Sequence, residues 1–201
     1  MSAITQEMIE KTTEFHGHWC PGLAIGIRVA EWALNEMGKA GDEEIVAVVE
    51  TDMCGVDAIQ FLTGCTFGKG NLIHRDYGKN AFSFYRRRDG KAARLTSRPD
   101  IYGELHQELG RLHAKMRKEG LSAEEEKTRQ ELRTRISKRI MDADLSVLFD
   151  VKDPVGPPPK KARILSSLIC ENCGEPAMES RTRRFREQTL CIPCFNTFES
   201  R

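Results

Sequence analysis

The chain has 201 residues, 39% hydrophobic and 30% charged, with a formal net charge of +1. That length suits one core domain plus an appendage, and the near-neutral balance excludes any global attraction to nucleic acid or an anionic membrane. No apolar run approaches the ~20 residues of a membrane span, and the start MSAITQEMIEKTTEF lacks the apolar stretch of a signal peptide. A cytoplasmic location is therefore expected, where thiols stay reduced. Seven cysteines, an odd number, then point to metal ligation or reactive thiols before disulfides.

The first segment with chemical character is Phe15-His16-Gly17-His18-Trp19-Cys20-Pro21-Gly22. An extended course puts His16, His18 and Cys20 on one face and Phe15 and Trp19 on the other. Cys20 then caps a helix with the apolar stripe Leu23, Ile27, Ala30, Leu34 and Met37. Pro21 suits its first turn and Gly38 its stop. The partial positive charge at that helix start favours a thiolate. Thiolate and imidazole together suit zinc, iron or copper.

Residues 43–50, EEIVAVVE, read as a short buried strand. It leads through Thr51-Asp52-Met53-Cys54 into a helix over Gly55–Leu62, the kind of junction where α/β sheets place ligand-binding groups. Cys54 is a second helix-start thiol, with Asp52 and Asp57 beside it. Cys65-Thr66-Phe67-Gly68-Lys69-Gly70-Asn71 is a glycine-rich loop whose backbone can approach a bound group, with Lys69 able to neutralise an anion. Leu72–Tyr77 and Ala81–Arg86 read as two strands paired around Tyr77-Gly78-Lys79-Asn80. His74, His106 and His113 read as structural.

Residues 99–142 carry two apolar stripes, Ile101, Leu105, Leu109, Leu112 and Met116, then Leu132, Ile136 and Ile140, with a turn at Gly120-Leu121-Ser122. This predicts a helical hairpin with charged outer faces, covering the sheet or forming a dimer interface. Asp153-Pro154-Val155-Gly156-Pro157-Pro158-Pro159 is a stiff linker by composition, giving a core over 1–150, a linker over 151–165 and a small domain over 166–201.

In that small domain Cys170-x-x-Cys173 and Cys191-x-x-Cys194 are 17 residues apart and supply a closed tetrahedral zinc shell. So short a segment cannot fold on its apolar area alone, so the zinc is structural. The intervening MESRTRRFREQTL can form a hairpin and Cys194-Phe-Asn-Thr-Phe a short helix, in treble-clef or zinc-ribbon order. Arg181, Arg183, Arg184 and Arg186 raise nucleic-acid binding as an option, which the surrounding glutamates weaken by cancelling the charge.

The blocks HGHWCPGLAIGIRVAEWAL, ETDMCGVDAIQFLTGCTFGKGNL and DYGKNAFSFY resemble the FmdE family, named for a component of formylmethanofuran dehydrogenase, over roughly residues 10–150. The resemblance implies an α+β core, a mixed sheet packed with helices, with a cavity lined by His16, His18, Cys20, Cys54 and Cys65 and with Asp52, Asp57 and Lys69 nearby. Many members also end in a four-cysteine zinc domain. The family name implies association with a molybdenum or tungsten enzyme.

Two functions are open to these residues. One is an accessory metal-binding protein of a redox enzyme, a second zinc being held in the core by His16, His18 and Cys54, with Cys20, Asp52, Asp57 and Cys65 around a bound group. The other is an enzyme in which Cys54 or Cys20 is the nucleophile or ligates a catalytic zinc, His18 or His16 a base and Lys69 an anion clamp. A homodimer with exchanged C-terminal domains is the expected assembly, with no membrane partner.

Overall fold

The computed structural model describes residues 3–41 and 44–199. It divides into two units, residues 1–161 and 162–201.

In the first unit, helix α1 (Gln6–His16) is capped by the Thr5 hydroxyl and stopped by Gly17, whose φ of 91° suits a residue without Cβ. This helix corrects the extended course expected for the histidine segment: His16 is its last residue and the chain turns at Gly17. Helix α2 (Pro21–Glu36) follows, with Cys20 at its N-cap and Pro21 in its first turn. Strand β1 (Ile45–Val49) is buried along its whole length; the first residue of the expected strand, Glu43, lies outside the described residues. Helix α3 (Gly55–Thr63) and strands β2 (Leu72–His74), β3 (Ala81–Arg86) and β4 (Ala92–Ser97) come next.

The helical hairpin is α4 (Leu105–Glu119) and α5 (Ala123–Asp142). Ser122 and Glu125 form a reciprocal capping box at the start of α5. A single helical turn α6 (Leu145–Leu148) runs into β5 (Phe149–Lys152).

The five strands form one mixed sheet in the order β2-β1-β3-β4-β5. Here the expected pairing of residues 72–77 with 81–86 is corrected. β2 runs parallel to β1 after the α3 crossover, and β1 stands between β2 and β3. The reason is burial: the all-apolar β1 is the natural interior strand, and short β2, only partly covered, tolerates the edge. Phe82, Phe84 and Leu95 point from the sheet into a core completed by Ile25, Val29, Ile136 and Ile140. On the opposite face Glu50 accepts two hydrogen bonds from Arg94, at 2.7 and 2.8 Å, and this holds its carboxyl below the usual range.

The second unit pairs β6 (Ser167–Ile169) with β7 (Pro176–Met178), and β8 (Thr182–Phe185) with β9 (Gln188–Cys191), before helix α7 (Ile192–Glu199). This is the hairpin-then-helix order expected from the sequence. Among the described residues no helix is long and apolar enough to cross a membrane.

Candidate metal centres

The C-terminal cysteines converge because each Cys-x-x-Cys pair sits on a turn that its element supports. Cys170 and Cys173 lie in the loop between β6 and β7, where Gly174 (φ 75°) donates its amide to the Cys170 carbonyl. Cys191 ends β9 and Cys194 lies in the first turn of α7. All four sulfurs lie within 4.8 Å of one another. Leu190, Phe185 and Phe195 supply a small apolar cluster beneath them.

Backbone amides of Cys173 and Cys191 stabilise the Cys170 thiolate and bring that thiol down to about 6. Cys173 is pushed up to about 12. The Glu175 amide opposes this rise, but the hydrogen bond with Cys170, burial and the sulfurs of Cys194 and Cys191 outweigh it. Crowded sulfurs that resist joint ionisation are what a cation relieves.

The second centre lies in the core and arises from a helix crossing. On α2, Gly26 meets Gly55 of α3 so closely that a Cβ built on it would fall 2.1 Å from the Gly55 oxygen. Gly22 likewise leaves room for sulfur: its Cβ would stand 3.2 Å from Cys54 Cβ and 3.9 Å from Cys20 Sγ. Helix starts that approach this way bring Cys20 and Cys54 side by side, each next to a positive helix end. The Leu23 amide donates to Cys20 Sγ at 3.3 Å. Burial, then the neighbouring Cys20, pushes the Cys54 thiol up.

His16 and His18 close the set. Their ring centroids are 4.5 Å apart, and their nitrogens lie with both sulfurs inside one 4.8 Å group. A tetrahedral zinc shell separates its donors by about 3.3–3.8 Å, so small side-chain shifts suffice to close it. His16 Nδ1 is 2.7 Å from Asp57 Oδ2, while His16 Nε2 is buried with no hydrogen-bond partner. A carboxylate on one imidazole nitrogen and a vacant lone pair on the other is the arrangement that presents histidine to a metal. His18, the exposed member, is held below the ordinary imidazole value by burial, then by His16 and Arg133.

The other expected site residues separate into two groups. Cys20, read as lying near a bound group, stands among the four donors themselves. Asp52 and Asp57 line a cleft of ≈ 460 Å³ beside the cluster, together with His74, which was expected to be structural. Cys65 does not join them: its thiol is fully buried, bonded to the Ile45 carbonyl at 3.5 Å and raised by desolvation. Lys69 acts on Cys65, at the far end of α3 from Cys54, a helix length of about 13 Å. Neither Cys65 nor Lys69 lines the cleft. Tyr102, next to Cys20 and Cys54 and hydrogen-bonded to Asn80, is a neighbour that no sequence motif marks.

The fold and these two clusters define a two-unit protein, with two thiols and two imidazoles gathered in the first unit and four thiols in the second. Residues 15–150 match the FmdE model, described as the molybdenum formylmethanofuran dehydrogenase operon, and the chain belongs to that family. Residues 163–200 match the prokaryotic dksA/traR C4-type zinc finger, which makes the second unit a zinc-binding domain. A crystal structure of a tungsten formylmethanofuran dehydrogenase FmdE-like protein from Syntrophus aciditrophicus is similar, with a TM-score of 0.62 and 27% identity. That similarity covers 96% of this chain and 92% of the other. A curated relative from Archaeoglobus fulgidus, named "Probable S-adenosyl-L-methionine-binding protein", is 32% identical over 98% of this chain. The chain spans 54% of that relative's length.

Proposed function

We propose that the core binds a second zinc ion through His16, His18, Cys20 and Cys54, and that the protein is an accessory metal-holding component of a molybdenum or tungsten redox-enzyme system. The orphaned, buried Nε2 of His16 carries the metal reading, because nothing else in its surroundings satisfies it. Four protein donors fill a tetrahedral shell, which favours holding an ion over activating water on it. The description of the family and the tungsten-enzyme name of the solved relative support the redox-enzyme setting.

Full-length protein is expected to hold two zinc ions. Cys54→Ser should lose one and keep the other, whereas Cys170→Ser should spare the core ion. Metal analysis showing one ion in both the native chain and Cys54→Ser would remove the core centre.

A second reading follows from the cleft. Asp52 and Asp57 offer negative charge, and Phe67, 76% exposed, offers a ring face. Those groups suit a sulfonium cation joined to a planar base, and the name of the archaeal relative supports S-adenosyl-L-methionine as that ligand. Calorimetric titration should give binding that weakens about 10-fold in Asp52→Asn. No heat from S-adenosyl-L-methionine at millimolar concentration would end this second reading.

A further inference from the structure

The sheet has a second face, turned away from the helices that carry the core centre. Ile45, Ala47 and Val49 of β1 pack into the core, so the alternate residues of the sheet point the other way. There Val48, Ser83 and Arg94 stand opposite one another on β1, β3 and β4. With Glu50 and Tyr85 they floor a cleft of ≈ 340 Å³. Its rim is the loop after β2. The Arg75 amide donates to the Val49 carbonyl and the Lys79 amide to the Glu50 carbonyl, each at 2.9 Å, with a turn at Gly78 (φ 61°) between them. These bonds tie the loop across the end of β1. Arg75, Tyr77 and Lys79, at alternate positions, all line the cleft, whereas Asp76 does not.

Three cations therefore meet one carboxylate in a single cavity. That carboxylate, Glu50, is occupied by Arg94: its two oxygens accept from Nε and Nη2, and Arg94 Nη1 donates to Thr96. Arg75 and Lys79 are left over. Both are exposed, and among the described residues neither enters an ion pair. Other arginines also lack an ion pair; here the cavity holds two such cations beside Ser83 and Tyr85, buried residues that bear hydroxyls. Burial pushes the Tyr85 phenol up, which keeps it a hydrogen-bond donor.

We infer that this cleft binds the phosphate group of a small molecule, held between Arg75 and Lys79 with the hydroxyls of Ser83 and Tyr85 donating to its oxygens. Two unanswered positive charges match a phosphate group, which carries about −1.5 to −2 near neutral pH, better than a singly charged carboxylate. The cleft lies at the small end of ligand-pocket volumes. Tyr77, 57% exposed, offers a ring to the group that bears the phosphate. The site is independent of the metal reading, since none of its residues belongs to the core cluster.

The test is calorimetric titration of the full-length chain with inorganic phosphate and, separately, phenyl phosphate, with acetate as the singly charged comparison at constant ionic strength. At least one phosphate should bind, more tightly than acetate, and Arg75→Met and Lys79→Met should each weaken it about 10-fold. Arg75→Lys should recover part of the loss, keeping the charge without the donor fork. Lys118→Met, which removes a cation of α4 outside the cleft, should stay within about 2-fold. Binding of inorganic phosphate alone assigns the site to the free ion; tighter binding of phenyl phosphate, weakened by Tyr77→Ala, assigns it to an ester. No heat from either phosphate, acetate bound as tightly, or equal affinities for the native chain and Arg75→Met would overturn the proposal. Zinc content of the same samples separates this result from failure of the metal centre, since all these variants should retain their zinc.

Discussion

Replacing Gly26 by alanine should cost about 4 kcal/mol or more, or prevent folding of the core altogether. The added Cβ would lie 2.1 Å from the oxygen, 2.4 Å from the Cα and 2.6 Å from the carbonyl carbon of Gly55. These are backbone atoms at the start of α3, so no rotamer change can relieve the clash. Helices α2 and α3 would have to separate, and Cys54, immediately before Gly55, would move away from Cys20. Core zinc should therefore be lost even from molecules that remain folded. Gly110 is the control. It lies mid-helix in α4 with no heavy atom within 4 Å of its built Cβ, so Gly110→Ala should stabilise by about 0.5–1 kcal/mol. Urea unfolding of the two variants checks both signs. A Gly26→Ala protein as stable as the native chain, with zinc unchanged, would refute this account of the crossing.

Zinc binding by the C-terminal unit should be strongly dependent on pH and should release protons. Cys170, at about 6, is already a thiolate at neutral pH. Cys173, at about 12, keeps its proton, and burial of Cys191 outweighs the Cys194 amide to raise that thiol as well. Zinc must displace at least the protons of these last two, so log affinity should climb by about two units or more per pH unit near neutrality. The sign follows from the thiols being raised in the metal-free fold: lowering pH adds competition and loosens the ion. Calorimetry in two buffers of different ionisation enthalpy measures the proton count directly. Because the fold of so small a unit depends on the ion, chelation at lower pH should also unfold β8, β9 and α7 more readily. Binding heats independent of buffer would contradict this picture.

Much of this was legible in the primary order because the signals were local. Helix α2 announced itself through Pro21 and its apolar stripe, α3 through the junction at Cys54, and the hairpin through the stripes of Leu109 and Ile136. The four tail cysteines carried their own spacing. What misled was reading local pattern as pairing: residues 72–77 and 81–86 are adjacent in sequence, yet β1 lies between β2 and β3. Similarly, the alternation of His16, His18 and Cys20 suggested an extended course, whereas α1 runs to His16 and the turn at Gly17 brings the groups together instead.

By itself, then, the sequence determined the thiol and imidazole side chains on offer, the placement of Cys20 and Cys54 at helix starts and the separate zinc unit, since each depends on residues only a few positions apart. Tertiary structure decided which of these side chains meet. Gly22, Gly26 and Gly55 bring Cys20 to Cys54, while the core takes Cys65 out of reach and leaves Lys69 at the other end of α3. Such meetings depend on how closely two helices can approach, and that closeness does not exist until the chain has packed.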